Sequence, residues 1–317
     1  MQFFHGTNIN FVSKRKLFFF ASLILNVVAI VAVLIMGVDF GIDFVGGTEI
    51  AYKFDKPIHT DQIRNVVEKA GFKGAEIKSY GKENQFLVRI KQTGDATVKI
   101  SEAFKTEFPD MKATEIKQDK IGPKIGSELK GQAFLAVLLS ILAIMIYIAF
   151  RFEFIYGLGA IIALIHDVIF TFGVIVLVHK TGLIDLEVNQ SMLAAMLTVI
   201  GFSVNDTVIV FDRIRENKEK QKGFNFLRLV NVSINETLSR TINTVLTVVL
   251  VLFTMVVLGG PVLQGFAFTM LIGILIGTYS SIYIASSYVI WHLENIKKVK
   301  FEHDWDKTDH KDSVVHV

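Results

Sequence analysis

The chain has 317 residues, 51% of them hydrophobic, and a positive mean hydropathy, which places it among membrane proteins. Its formal net charge of +3 is too small to argue for a nucleic-acid partner. It contains no cysteine, which excludes disulfides, thiolate metal sites and cysteine nucleophiles.

In chain order, a short lead over residues 1–16 ends in Lys14, Arg15 and Lys16. Leu17–Met36 would span about 30 Å as a helix, enough to cross a bilayer. The run is too long for a signal-peptide core, and no small-residue cleavage site follows, so it reads as an uncleaved anchor. Residues 37–130 then turn rich in Lys, Glu, Asp and Gly and hold no spanning run. Five more apolar segments follow, at about 132–150, 155–178, 189–211, 241–258 and 264–291. The expected division is a lead and first helix (1–36), an outer α+β domain (37–130), a five-helix membrane domain (131–300) and a disordered cytoplasmic tail (301–317). The tail histidines, His303, His310 and His316, read as solvated rather than metal-binding, and no metal or cofactor is expected.

Basic residues in the short loops set the expected orientation. Lys14–Lys16, Arg151, the cluster from Arg213 to Arg228, and Lys297, Lys298 and Lys300 lie on one side. Only Lys180 lies in the short loops of the other, and the Gly259-Gly260-Pro261 turn carries none. Both termini are therefore expected in the cytoplasm and residues 37–130 outside, in a multi-pass membrane protein.

Within the outer segment, Thr48–Phe54 alternates as a strand. Thr60 is the expected cap of a helix through Lys69, with Ile63, Val66, Val67 and Ala70 on one face and Gly71 closing it. Ala75–Tyr80 and Gln85–Lys91 read as a hairpin around Gly81 and Asn84. A second helix, Asp95–Phe108, presents Val98, Phe104 and Phe108 and stops at Pro109; a last strand covers Ala113–Ile121. The order βαββαβ predicts a ferredoxin-like domain, a fold that says little about function by itself.

The stretch after the first span, with Asp39, Gly41, Asp43, Gly46 and Gly47, lacks the glutamate of a calcium loop and the spacing of a phosphate loop. It reads as a rigid glycine-rich junction coupling the first helix to the first strand.

Ionisable residues inside the spans carry the functional argument, because a charge at membrane depth is costly and marks ion pathways by default. Asp206, beside Asn205 in the fourth span, shares a polar stripe with Ser203 and Arg213. A proton carrier needs such a carboxylate, its charged form disfavoured by low dielectric and favoured by a neighbouring cation. The fifth span offers Arg240 in a ribbon with Glu236, Asn243, Thr244, Thr247 and Thr254. That ribbon either faces the bundle interior, or Arg240 snorkels to headgroups and the threonines bond back to their own helix. His166-Asp167 in the third span suits a relay or a hydrogen bond between helices. Gly273, Gly277, Ser280 and Ser281 in the sixth form a close-packing stripe.

GIDFVGGTEI (41–50), ALIHDV (163–168), IGFSVNDTVIVFDRIREN (200–217) and NETLSRTINT (235–244), with the Gly-Gly-Pro turn, resemble the SecF family of protein-export membrane subunits. The resemblance covers about residues 8–300, in the family's order. It implies a six-helix half of an RND-superfamily unit that pairs with SecD, and with YajC, beside the SecYEG channel. There it would use the proton-motive force to draw preproteins outward, in contact with membrane lipid. It implies proton conduction through the positions of Asp206 and Arg240, and a structural role for His166-Asp167. The chain matches one half only, so a complete proton path is not expected within it. Two other readings are half of a small-molecule exporter of RND type and an intramembrane aspartyl protease using Asp167 and Asp206. A single outer domain of about 90 residues argues against the first. The second lacks the G-x-G-D signature, since Ser-Val-Asn precedes Asp206.

Overall fold

A computed structural model of the protein describes residues 8–81, 83–92, 94–221 and 225–301; the three tail histidines lie outside them. The first span is α1 (Arg15–Met36), and a single helical turn, α2 (Ile42–Val45), follows it. The outer domain runs β1 (Gly47–Phe54), α3 (Thr60–Lys69), β2 (Glu76–Ser79), β3 (Gln85–Ile90), α4 (Ala96–Glu107) and β4 (Ala113–Ile121). Its sheet has the order β2-β3-β1-β4 with every neighbouring pair antiparallel, the ferredoxin-like arrangement the sequence predicts. Ile50, Tyr52 and Phe54 alternate onto one face of β1 and meet Ile63 and Val67 of α3 and Ile100 and Phe104 of α4.

Two local readings are corrected. Thr60 is the first residue of α3, not its cap; His59 precedes the helix, and its backbone N–H donates to Gln62 Oε1 at 3.0 Å. Val98 is 57% exposed, while Ala96, Ile100 and Phe104, four residues apart, form the inward face of α4. Asn84 closes the β2–β3 hairpin at φ +59°, a conformation asparagine tolerates.

β4 runs through Gly122 straight into α5 (Pro123–Arg151), with Pro123 at the first helical turn. There follow α6 (Phe154–Lys180), α7 (Gln190–Lys220), α8 (Phe226–Leu258) and α9 (Gly260–Ser280). A five-residue π-helical turn, Ser281–Ala285, joins α9 to α10 (Ser286–Asn295). Among the described residues six helices are long and apolar enough to cross a membrane, the last made of α9, the π turn and α10. Several outrun their apolar segments: α7 continues through a charged end to Lys220, and α8 begins at Phe226.

α7 lies at the centre of the bundle. Its Ile200, Val204, Phe211 and Ile214 pack with Ala160, Ala163 and Leu164 of α6 and with Ile284 and Val289 beyond the π turn. Gly273 and Gly277 of α9 lie against Val199 and Ser203 of α7, and a Cβ on Gly277 would stand 3.0 Å from that of Ser203. The glycines thus set the α7–α9 separation.

The outer sheet rests on the loop between α6 and α7 through ions. Lys78 of β2 pairs with Glu187 at 2.6 Å and Asp185 at 3.3 Å, and Arg89 of β3 pairs with Glu187 and, at 2.7 Å, with Glu49.

Candidate functional site

Ser203, Asp206, Thr207 and Val210 recur at three- and four-residue spacing and turn one face of α7 into the bundle. Asp206 is buried, and its Oδ2 accepts a hydrogen bond from Thr278 Oγ1 of α9 at 3.0 Å. One residue on, Thr207 and Ser281 share a hydroxyl–hydroxyl bond of 2.8 Å. Arg240 acts on Asp206 electrostatically from α8 without a hydrogen bond to it among the described residues.

A turn along α7 lies a second carboxylate. Asp167 of α6 is 0% exposed and accepts from Ser203 Oγ of α7 at 2.5 Å and Ser280 Oγ of α9 at 2.7 Å. Its other oxygen meets His166 Nδ1 at 2.8 Å. Asp167 therefore joins three helices at one point. The His166 ring stacks on Phe170, and its Nε2 is buried without a partner among the described residues.

The remaining site residues fall apart from these. Asn205 is exposed on the outer face of α7, lining an open groove of roughly 370 Å³ with Leu197, Thr198, Gly201 and Phe202. Glu236, Arg240, Thr244, Thr247 and Thr254 form an exposed line along α8, not one turned into this chain's bundle. Thr244, Thr247 and Thr254 bond back to carbonyls of α8 at 2.8–3.0 Å. Arg213 pairs with Glu236 at 2.7 Å, away from Asp206, and Asp212 pairs with Arg151 at 2.9 Å.

The glycine junction is a crossing point. Asp39 O accepts from Val188 N, and Gly41 N donates to Val188 O. The carboxylate of Asp43 accepts from Gln190 N, the first residue of α7, at 2.9 Å. Gly46 (φ +78°) and Gly47 (φ +135°) hold conformations and contacts that a Cβ would oppose: it would stand 2.6 Å from Pro123 Cα at Gly46 and 2.5 Å from Ile90 O at Gly47. Lys180, 2.6 Å away, holds the Asp39 carboxyl below the usual carboxylate range, and His179 adds to this. His179, Asp185 and Glu187 bring potential metal-ligand atoms within 4.8 Å of one another. Lys78 and Arg89 already stand on those carboxylates, so the protein's own cations fill that position.

Sequence reasoning missed Thr278 and the use of Ser203 and Ser280 as donors. Their only signal was hydroxyls recurring in an apolar helix, which packing explains as readily.

The family described as protein export membrane protein SecD/SecF, C-terminal, matches residues 99–295, and the SecD/SecF GG motif matches residues 31–58, around the glycine junction. The chain is 38% identical over 301 residues to the protein translocase subunit SecF of Calditerrivibrio nitroreducens, covering 93% of this chain and 97% of that one. To the SecF subunit of Pseudomonas aeruginosa it is 36% identical over 284 residues, 89% of this chain and 91% of that one. It superposes on the crystal structure of SecDF, a translocon-associated membrane protein from Thermus, with a TM-score of 0.80 and 35% identity, covering 90% of this chain. It spans 39% of that longer chain. A super-membrane-facing form of SecDF matches at a TM-score of 0.70 and 34% identity, with 94% of this chain and 40% of that one covered. These relatives are translocase subunits and do not favour a small-molecule exporter. With the glycine junction, both helix motifs and near full-length likeness in agreement, the chain belongs to the SecF family of Sec protein-export membrane subunits.

Proposed function

We propose that this subunit works with SecD to couple the proton-motive force to preprotein movement at the SecYEG channel, with YajC as a further neighbour, and that it makes or breaks no covalent bond itself. The observation that carries the reading is Asp206: a carboxylate buried at membrane depth, held among the described residues by a single hydroxyl and within electrostatic range of Arg240. Such a group exchanges a proton at modest cost when a neighbouring cation moves. The polar line of α8 with Arg240, and Asn205 across on α7, lie open on the lone chain. A polar face at that depth suits covering by another membrane subunit better than by lipid, and SecDF in one chain is far longer than this one. The His166-Asp167 pair holds α6, α7 and α9 together beside Asp206, a structural role. Gly41, Asp43, Gly46 and Gly47 pass movement between α7, α5 and the outer domain, taken as residues 37–130.

In this reading both termini lie in the cytoplasm of a bacterial inner membrane and the outer domain on the far side, as the basic residues of the short loops support. A reporter at Gly81 protected in intact spheroplasts would overturn it. The coupling is tested by Asp206→Asn, which keeps shape and cannot ionise. It should assemble normally and abolish proton-dependent stimulation of export of a slow-folding secretory substrate in a strain depleted of the native subunit. Export at the wild-type rate by an assembled Asp206→Asn subunit would make Asp206 structural.

A further inference from the structure

Thr278 Oγ1 stands 3.0 Å from Asp206 Oδ2 and also 3.0 Å from Ile274 O, one turn back on its own helix. A threonine hydroxyl has one hydrogen and two lone pairs, so it can donate to only one of these oxygens at a time. Among the described residues Thr278 is the only side chain that hydrogen-bonds Asp206. Asp167, by contrast, has Ser203, Ser280 and His166 around it.

We propose that Thr278 is a positioning residue that serves Asp206 in both charge states, as donor to the carboxylate and acceptor from the carboxyl. The proposal rests on the reading of Asp206 as a proton carrier. When Asp206 is ionised, the Thr278 hydrogen points to Oδ2. When a proton binds Oδ2, the new O–H donates to Thr278 Oγ1, and the Thr278 hydrogen swings to Ile274 O. No covalent bond of Thr278 is made or broken, and Asp206 Oδ2 and the Thr278 hydroxyl keep a hydrogen-bond partner in both states. A buried carboxyl that lost its only hydrogen bond on gaining or losing a proton would be trapped in one form, since an unpaired buried polar group is costly. Among the described residues the other charged or titratable side chains near Asp206 are Arg240 on α8 and the His166-Asp167 pair on α6, a turn away along α7. Arg213 and Asp212, further along α7, are engaged with Glu236, Glu216 and Arg151.

Thr278 sits just ahead of Ser280, which holds Asp167, and of the π-helical turn Ser281–Ala285. Turns of that kind interrupt the regular ladder and occur often at functional sites. The hydroxyl that reads Asp206 thus lies on the same short stretch that grips the anchor on α6.

The test uses the full-length chain in lipid vesicles and dicyclohexylcarbodiimide, an apolar reagent that modifies protonated carboxyls. Modification at Asp206 is read by peptide mass spectrometry across a pH series. In the wild type it should fall as pH rises. Thr278→Val has nearly the same shape and lacks the hydroxyl; it should raise modification at the alkaline end by roughly tenfold, because the ionised form has lost its donor. Thr278→Ser should restore the wild-type profile. Thr278→Ala, a second variant that cannot overpack, should behave as valine does. A wild-type profile that depends on pH, but is identical in the valine and alanine variants, overturns the role of Thr278 and leaves the carrier reading standing. No modification of Asp206 at any pH, in any of these proteins, overturns the carrier reading and this inference with it.

Discussion

The carboxylate of Asp43 accepts a hydrogen bond from the backbone N–H of Gln190 at 2.9 Å, across 147 residues of sequence. It satisfies one of the free N–H groups at the start of α7 and places a negative charge at the positive end of the helix that carries Asp206. Asn189 caps the same end through Met192 N at 2.8 Å. Asp43→Ala should cost about 1 kcal/mol, read as a lower thermal-unfolding midpoint of the purified protein in detergent. Asp43→Asn keeps an acceptor oxygen and should cost less. An unchanged midpoint for the alanine variant would mean that Asn189 suffices alone.

The glycines of the junction differ from those elsewhere in a way that mutation can read. A Cβ at Gly46 or Gly47 meets backbone atoms that cannot swing aside, and both residues hold positive φ. Gly46→Ala and Gly47→Ala should each destabilise the protein by about 1–3 kcal/mol. Gly131, exposed within α5 with no atom near its missing Cβ, is the control. Gly131→Ala should be neutral or stabilise by up to about 1 kcal/mol. Thermal unfolding of the three variants side by side checks the ranking; equal effects at Gly46 and Gly131 would remove the case for a tight junction.

Asp167 joins α6 to α7 and α9 through two serine hydroxyls, so its loss should loosen the bundle rather than only silence it. Ser203→Ala should cost roughly 0.6 kcal/mol, typical of one hydrogen bond between membrane helices. Asp167→Ala removes both interhelical bonds at once, leaving Ser280 only Gly277 O on its own helix, and should cost more than Ser203→Ala and Ser280→Ala singly. Asp167→Asn keeps an acceptor and should be the mildest change at that position. The measure is the yield of folded protein with its unfolding midpoint in detergent. A wild-type midpoint for Asp167→Ala would sink the anchor role.

The spanning helices and the βαββαβ order were legible because composition and periodicity report burial locally: Ile50, Tyr52 and Phe54 alternate, and no charge interrupts Leu17–Met36 until its flanks. Capping was less legible. His59 precedes α3 where Thr60 carried the stronger propensity, since Gln62 supplies the reciprocal bond. Val98 looked as suited to the core as Ile100, and only the position of α4 on the sheet decides between them. The line from Glu236 to Thr254 has helical spacing, yet spacing cannot say whether an open face meets lipid, water or another subunit. The contacts of Asp167 and Asp206 with α9 join residues 72 and 113 positions apart, and no local pattern encodes them.

The seat of the outer domain offers the last prediction. Glu187 is 7% exposed and stands between Lys78 and Arg89, with Asp185, Glu76 and Glu49 around them. Burial penalises the Lys78 charge, but the carboxylates of Glu187, Asp185 and Glu76 outweigh that and hold its pKa above the ordinary lysine value. A raised folded-state pKa gives a contribution that is complete below the unfolded value, about 10.4, and is lost as pH rises through the folded one. Across neutral pH the Lys78 contribution should therefore be flat, and weaken only in strong alkali. Removing one partner of a largely buried pair leaves the other uncompensated, so Glu187→Gln should cost about 3 kcal/mol, the lower end for such pairs. The Lys78→Ala and Glu187→Gln changes together should cost less than their sum. Hydrogen exchange across β2, β3 and residues 183–188 reads the effect locally, and Glu187→Gln should speed it there while the α7–α9 contact stays protected. If exchange in the single and double variants matches the wild type, these ions do not hold the domain against the α6–α7 loop.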